Sequence, residues 1–211
     1  MVRRAWWRIA ASCLVFALTA CSAGQESAGF VDPRLMRAYI PLSTSSVRLF
    51  NQWGAAFTIA PDVAVTNDHN ANFIPPGSVL ARSRDYDLLF FRPTGGTPVL
   101  TGRPRTGEEV IAYGQGASDN LREARGRVTA LEEYVPPRCT GCAPQRALVF
   151  DADAGGGFSG GPGVDAQTGA VVGITFGYLD GRPGASGRRM YAYDIELVIA
   201  EMRRLLPPPQ R

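Results

Sequence analysis

Hydrophobic positions in this chain fall into short runs separated by Gly, Pro, Asn and Asp rather than into long helical stripes. The runs Val47–Phe50, Gly54–Ile59, Val63–Thr66, Ser78–Ala81, Leu88–Phe91, Val110–Tyr113, Gly126–Leu131, Ala147–Phe150, Val171–Thr175 and Arg189–Tyr193 predict strands at close spacing. That rhythm points to an all-β barrel or sandwich. Strand–helix alternations of the length a parallel sheet needs do not occur. One helix is predicted at the end: Asp194 can cap it, Ile195, Val198, Ile199, Met202, Leu205 and Leu206 follow helical spacing, and Pro207–Pro209 stop it. A short helix around Pro33–Tyr39 also fits, in an otherwise mixed stretch.

Composition changes the picture at the amino end. All 22 basic residues are arginine, which removes lysine-based chemistry. Arg3, Arg4 and Arg8 account for the net charge of +3, so the remaining basic and acidic residues balance and no basic patch argues for nucleic acid. Those arginines precede the apolar run Ile9–Ala20, too short for a comfortable span, and Leu18-Thr19-Ala20-Cys21 follows. This arrangement resembles the signal and lipobox of bacterial lipoproteins. The resemblance implies a signal peptide over 1–20, acylation of Cys21, and an exported protein anchored in the bacterial cell envelope. Residues 21–44 then read as a tether and 45–207 as the folded domain.

Candidate chemistry sits in three places. Gly155-Gly156-Gly157-Phe158-Ser159-Gly160-Gly161-Pro162 places a serine among glycines that can adopt positive φ, so neighbouring N–H groups, from Gly157 and Ser159, can converge as an oxyanion hole. His69, after Val63–Asp68, is the one histidine in the chain and the single plausible base for a serine nucleophile. Asp87, immediately before Leu88–Phe91, is placed to be buried and to orient an imidazole. Asp85 is expected to be solvated or paired with Arg82 or Arg84, and Asp68 to diverge from its neighbour His69.

These motifs, in this order, resemble the trypsin-like serine proteases, above all the bacterial HtrA (Deg) protease domain. The matching stretches are Gly54–Ala60, Val65–His69, Asp87–Leu89, Gly107–Gly114, Gly126–Leu131, Asp151–Pro162 and Val171–Thr175, together covering about residues 47–206. The resemblance implies two antiparallel six-stranded barrels with the site between them, a triad of His69, Asp87 and Ser159, an acyl-enzyme intermediate, protein or peptide substrates, and no cofactor or metal. The G-x-S-x-G pattern at Gly157–Gly161 also fits α/β-hydrolases, but those place histidine after the serine, and none follows Ser159. No PDZ domain is expected after the terminal helix.

Departures from the pattern matter too. Only 18 positions separate His69 from Asp87, which predicts a trimmed hairpin in the first barrel. Asn70 stands where the family carries an apolar residue. Asp153 lies six positions before Ser159, where trypsin carries the acid that binds Arg or Lys. The resemblance thus implies a substrate pocket favouring basic side chains, with Phe176 and Gly177 lining it. In HtrA-like chains the pocket is shaped differently, and the alternative is that Asp153 faces solvent. Cys139 and Cys142 are expected to form a loop disulfide, since a zinc site would want two further ligands. The alternative to an endopeptidase is a non-catalytic surface lipoprotein that binds partners on the same fold; a non-peptide ester hydrolase is a third reading.

Overall fold

The computed structural model describes residues 24–43, 52–116, 120–136, 145–179 and 188–207. The expected signal peptide, Cys21, the strand Val47–Phe50 and the cysteines 139 and 142 lie outside the described residues.

Two antiparallel sheets carry the chain. The first has five strands among the described residues: β2 (Tyr39–Ser43), β3 (Trp53–Ala60), β4 (Val63–Thr66), β5 (Val79–Arg82) and β6 (Leu89–Phe91), ordered β2-β3-β4-β6-β5. The second contains β1 (Gln25–Glu26), β7 (Glu109–Gln115), β8 (Leu121–Val135), β9 (Gln145–Ala152), β10 (Pro162–Asp165), β11 (Val171–Leu179) and β12 (Arg189–Asp194). Its order is β1-β8-β7-β10-β11-β12-β9, and pairing of β8 with β9 closes six of these strands into a barrel. Helix α1 (Pro33–Ala38) precedes β2, and α2 (Ile195–Leu205) ends the fold.

The all-β architecture with a terminal helix matches the expectation, but the first unit does not reach six strands among the described residues. Between His69 and Asp87 the chain spends its length on two short 3-10 turns, Asp68–Phe73 and Pro76–Ser78, leaving room for β5 alone.

Strand alternation partitions the core. On β4 and β6, Ala64, Leu89 and Phe91 face one cluster with Leu42, Ala56 and Ile74, while Val65 and Phe90 face the other way. On β7 and β9, Val110, Ala112, Leu148 and Phe150 fill the second barrel, while Ile111, Tyr113, Ala147 and Val149 turn outward from it. The outward residues of both units, with Phe57, Leu35 and Val198, merge into one buried cluster between them. Period-two patterning thus builds two interiors and the seam joining them.

Long β8 must bend to pair with β7 at one end and β9 at the other. Gly126 sits at that corner, paired with both Val110 and Ala152. A Cβ there would lie 1.5 Å from the Asp151 carbonyl oxygen, so only glycine fits.

The expected tether is a correction. From Gly24 to Ser43 the chain is part of the fold: β1 pairs with β8, β2 pairs with β3, and Leu35 and Ala38 of α1 are buried. Asp32 caps α1 by accepting from the Arg34 amide at 2.9 Å, with Pro33 at the first helical position. Pro41 hides β2 from pattern reading, yet an outer strand tolerates it. At the other end, Asp194 caps α2 as expected, accepting from the Glu196 amide at 2.7 Å.

Candidate active site

The seam opens as a cleft of about 520 Å³ lined by His69, Asp87, Gly155, Gly156, Ser159, Phe176, Gly177 and Tyr178. The first sheet supplies His69 and Asp87; the second barrel supplies the rest.

His69 leaves β4 on the 3-10 turn Asp68–Phe73. Its Nδ1 lies 2.6 Å from Asp87 Oδ2, and its backbone N–H donates to Asp87 Oδ1 at 3.0 Å. Both carboxylate oxygens therefore hold the same residue. The Asp87 side chain is 3% exposed and the His69 side chain 45%, so the acid is sealed and the ring faces the cleft. With Nδ1 committed to the carboxylate, the neutral ring keeps its lone pair on Nε2.

Asp87 is held by two further bonds through its main chain. Its amide donates to Tyr193 Oη at 3.2 Å, and Tyr193 donates in turn to Gln145 Oε1. The Asn67 side-chain amide donates to the Asp87 carbonyl at 3.1 Å. The preceding turn is shaped by Ser83, whose Oγ accepts from the Asp85 and Tyr86 amides and donates to Glu201 of α2 at 2.5 Å. Hydrogen bonding from Arg204 holds the Glu201 carboxyl below its ordinary range; burial opposes this, and Ser83 adds to it. Asp85 is exposed to solvent and pairs with Arg204 at 3.2 Å. Arg82 instead meets Asp68 at 3.5 Å, which turns Asp68 away from the cleft.

Ser159 is placed by backbone contacts. The turn Gly155–Phe158 closes with the Phe158 amide donating to the Gly155 carbonyl at 3.2 Å, and Gly157 takes φ +91° in its third position. Positive φ there is the mark of a type II turn. Gly157 cannot be replaced without displacement, since a Cβ would lie 2.0 Å from the Gln115 carbonyl oxygen. Past the serine, Gly160 (φ +80°) packs against Ala55 and Thr66, where a Cβ would fall 2.1 Å from the Ala55 carbonyl oxygen. Thr175 on β11 stitches the turn down: its amide and carbonyl bond Gly161 and Gly160, and its hydroxyl donates to the Phe158 carbonyl.

Asn70, unexplained by sequence, has a role here. It is 2% exposed, and its Nδ2 donates to Thr66 Oγ1 and to the Ser159 carbonyl, each at 3.0 Å. The Ala55 amide donates to the same Ser159 carbonyl at 2.9 Å. An amide beside His69 thus ties the imidazole's turn to the serine's main chain across the seam. Gly54 leaves the space, since a Cβ there would meet the Asn70 side chain at 2.9 Å.

The residues expected in a substrate pocket lie in different places. Phe176 and Gly177 line the cleft, with Phe176 stacked on Tyr193 at 4.2 Å. Asp153 does not. Its neighbours Ala152 and Ala154 are buried, so the intervening side chain turns outward; it is 78% exposed and lies 4.0 Å from Arg188. The expected preference for basic side chains loses its structural basis. Among the described residues, no group of three or more His, Cys, Asp or Glu side chains could hold a metal ion.

Comparison with known proteins places this geometry. The sequence profile of the trypsin-like peptidase domain matches residues 61–174, more than half of the chain. No curated protein sequence matches. Among solved structures, the active form of the Rv3671c protease from M. tuberculosis superposes with TM-score 0.65 at 18% identity, covering 88% of this chain and 92% of that one. The HtrA-type protease AlgW, solved with a tripeptide, gives 0.66 at 19% identity, covering 84% of this chain and 62% of AlgW. The MamO protease domain from Magnetospirillum magneticum gives 0.60 at 16% identity, covering 80% and 97%. At such identities these likenesses speak to the fold, whereas the profile match speaks to descent: the chain belongs to the trypsin-like peptidase domain family.

Proposed function

We propose that the protein is a serine endopeptidase in which His69, Asp87 and Ser159 form the triad. The observation that carries this reading is the 2.6 Å contact of His69 Nδ1 with buried Asp87, on the same cleft as Ser159. Ser159 Oγ attacks the scissile carbonyl while His69 Nε2 takes its proton, and Asp87 stabilises the imidazolium that results. His69 then returns the proton to the leaving amine, and water resolves the acyl-enzyme by the same route. The amides of Gly157 and Ser159 receive the oxyanion. Positive φ at Gly157 supports this role, because the opposite sign would turn over the peptide bond that carries its N–H.

The same reading takes proteins or peptides as substrates and anchors the enzyme in the bacterial envelope through acylated Cys21. Fluorophosphonate labelling tests the chemistry. The folded protein is expected to label at Ser159 and the Ser159→Ala variant to stay blank. A folded wild type that refuses the probe would overturn the assignment in favour of a binding module.

A further inference from the structure

The first described residues lie against the serine turn. The Gly24 amide donates to the Asp153 carbonyl at 2.5 Å, and the Gly24 carbonyl accepts from the Arg122 guanidinium. Gly24 takes φ +68° and touches the Phe158 ring so closely that a Cβ would lie 2.7 Å from its Cζ. Phe158 precedes Ser159, is 1% exposed, and is gripped from its other side by Gly114, where a Cβ would lie 2.7 Å from Cγ.

The next three residues fasten Gly24 in place. Gln25 and Glu26 pair with Glu123 and Arg122 of β8, and the Ser27 amide donates to the Leu121 carbonyl at 3.0 Å. Glu123 accepts from Gln25 Nε2 at 3.1 Å and from Ser27 Oγ at 2.7 Å. A two-residue strand at a sheet edge is weak alone, so these side-chain bonds set how firmly it stays.

We propose that Gly24–Ser27 is a strap that positions the Phe158 side chain and, through it, the Gly155–Gly161 turn, so that the residues just after Cys21 govern catalytic competence. The strap touches no substrate. It acts because the ring it covers belongs to the residue between the nucleophile and Gly157. In its efficiency arm the inference rests on the peptidase reading; in its ordering arm it does not.

The full chain tests it by two variants and two readouts. Gly24→Val drives a branched side chain into Phe158 and Glu123; the double variant Gln25→Ala with Ser27→Ala loosens the strap without a clash. Hydrogen exchange should quicken at least about tenfold at the Phe158, Gly160 and Gly161 amides, while β9 and β12 amides keep wild-type protection. Fluorophosphonate labelling should slow by about 10–100-fold for Gly24→Val, with kcat falling and KM little changed, and by a smaller factor for the double variant. Strap amides that exchange freely beside an unchanged turn and unchanged labelling would overturn the proposal and leave the peptidase reading intact. A wild type that never labels would sink the peptidase reading, and the exchange arm would still decide the strap. Should Gly24→Val unfold the barrel, the double variant decides by the same criteria.

Discussion

The two walls of the cleft are built by opposite means. The His69–Asp87 wall is held by side chains: a carboxylate on imidazole and amide, a tyrosine hydroxyl, an asparagine amide and, one step back, Ser83 with Glu201. The Ser159 wall is held mostly by main chain against main chain, with Asn70 and the Thr175 hydroxyl as its side-chain ties and with glycines at 157 and 160 where a single methyl would collide. The first wall is vulnerable to removing atoms, the second to adding them. This division suits the proposed chemistry: a base and its orienting carboxylate need polar partners, whereas an anion hole needs amides fixed before the charge develops.

Substitutions on either side can break or sharpen that contrast. Asp87→Asn keeps the volume of the first wall but loses the charge and tautomer control, and kcat is expected to fall about 10⁴-fold with KM little changed. Steady-state kinetics on a peptide substrate checks it, and a drop under tenfold would mean the carboxylate is not the orienting group. Next in size, Gly157→Ala adds one methyl to the second wall and is expected to cost about 10²–10³ in kcat, read from the same assay. Near-normal turnover there would dissolve the distinction between the walls.

Asn70 joins both walls and should respond with stability more than with chemistry. Asn70→Ala withdraws donors from Thr66 Oγ1 and from the Ser159 carbonyl. The expected loss is about 1–3 kcal/mol in denaturant unfolding, the range for stranding buried polar groups. Smallest is Glu201→Gln. Because Arg204, against the opposing effect of burial, lowers this carboxyl in the folded state, its contribution exists above the unfolded group's titration and disappears as pH falls through the folded value. Thermal melts should show the variant about 2–4 °C below wild type near neutral pH, with the gap closing as the pH falls below the ordinary carboxylate range. A gap that persists in acid would assign the effect to packing instead.

Much of this molecule was legible before its coordinates. Val63–Thr66 reads as β4 to the residue, and Asp87 stands out because a carboxylate abutting Leu88–Phe91 has to be drawn inward with them. Other parts were hidden for identifiable reasons. Pro162–Asp165 contains Pro and Gly and reads as loop; it becomes β10 because β7 and β11 pair with it from both sides. Asp153 left two readings open, pocket or solvent, since spacing along the chain does not disclose which way a side chain turns between two buried alanines. Residues 24–43 lack sustained periodicity, and the order at their start comes from partners nearly a hundred residues away, such as Glu123 for Gln25. Asn70 carried no signal because one of its two acceptors, the Ser159 carbonyl, comes within reach only once the sheets have met.

The sole imidazole of the chain is also the ring that Asp87 grips at 2.6 Å. In a proton magnetic-resonance spectrum its ring signals need no assignment against siblings. A far-downfield resonance from the bridging proton would therefore report on the cleft directly, and its response to an added inhibitor could be followed in unlabelled protein.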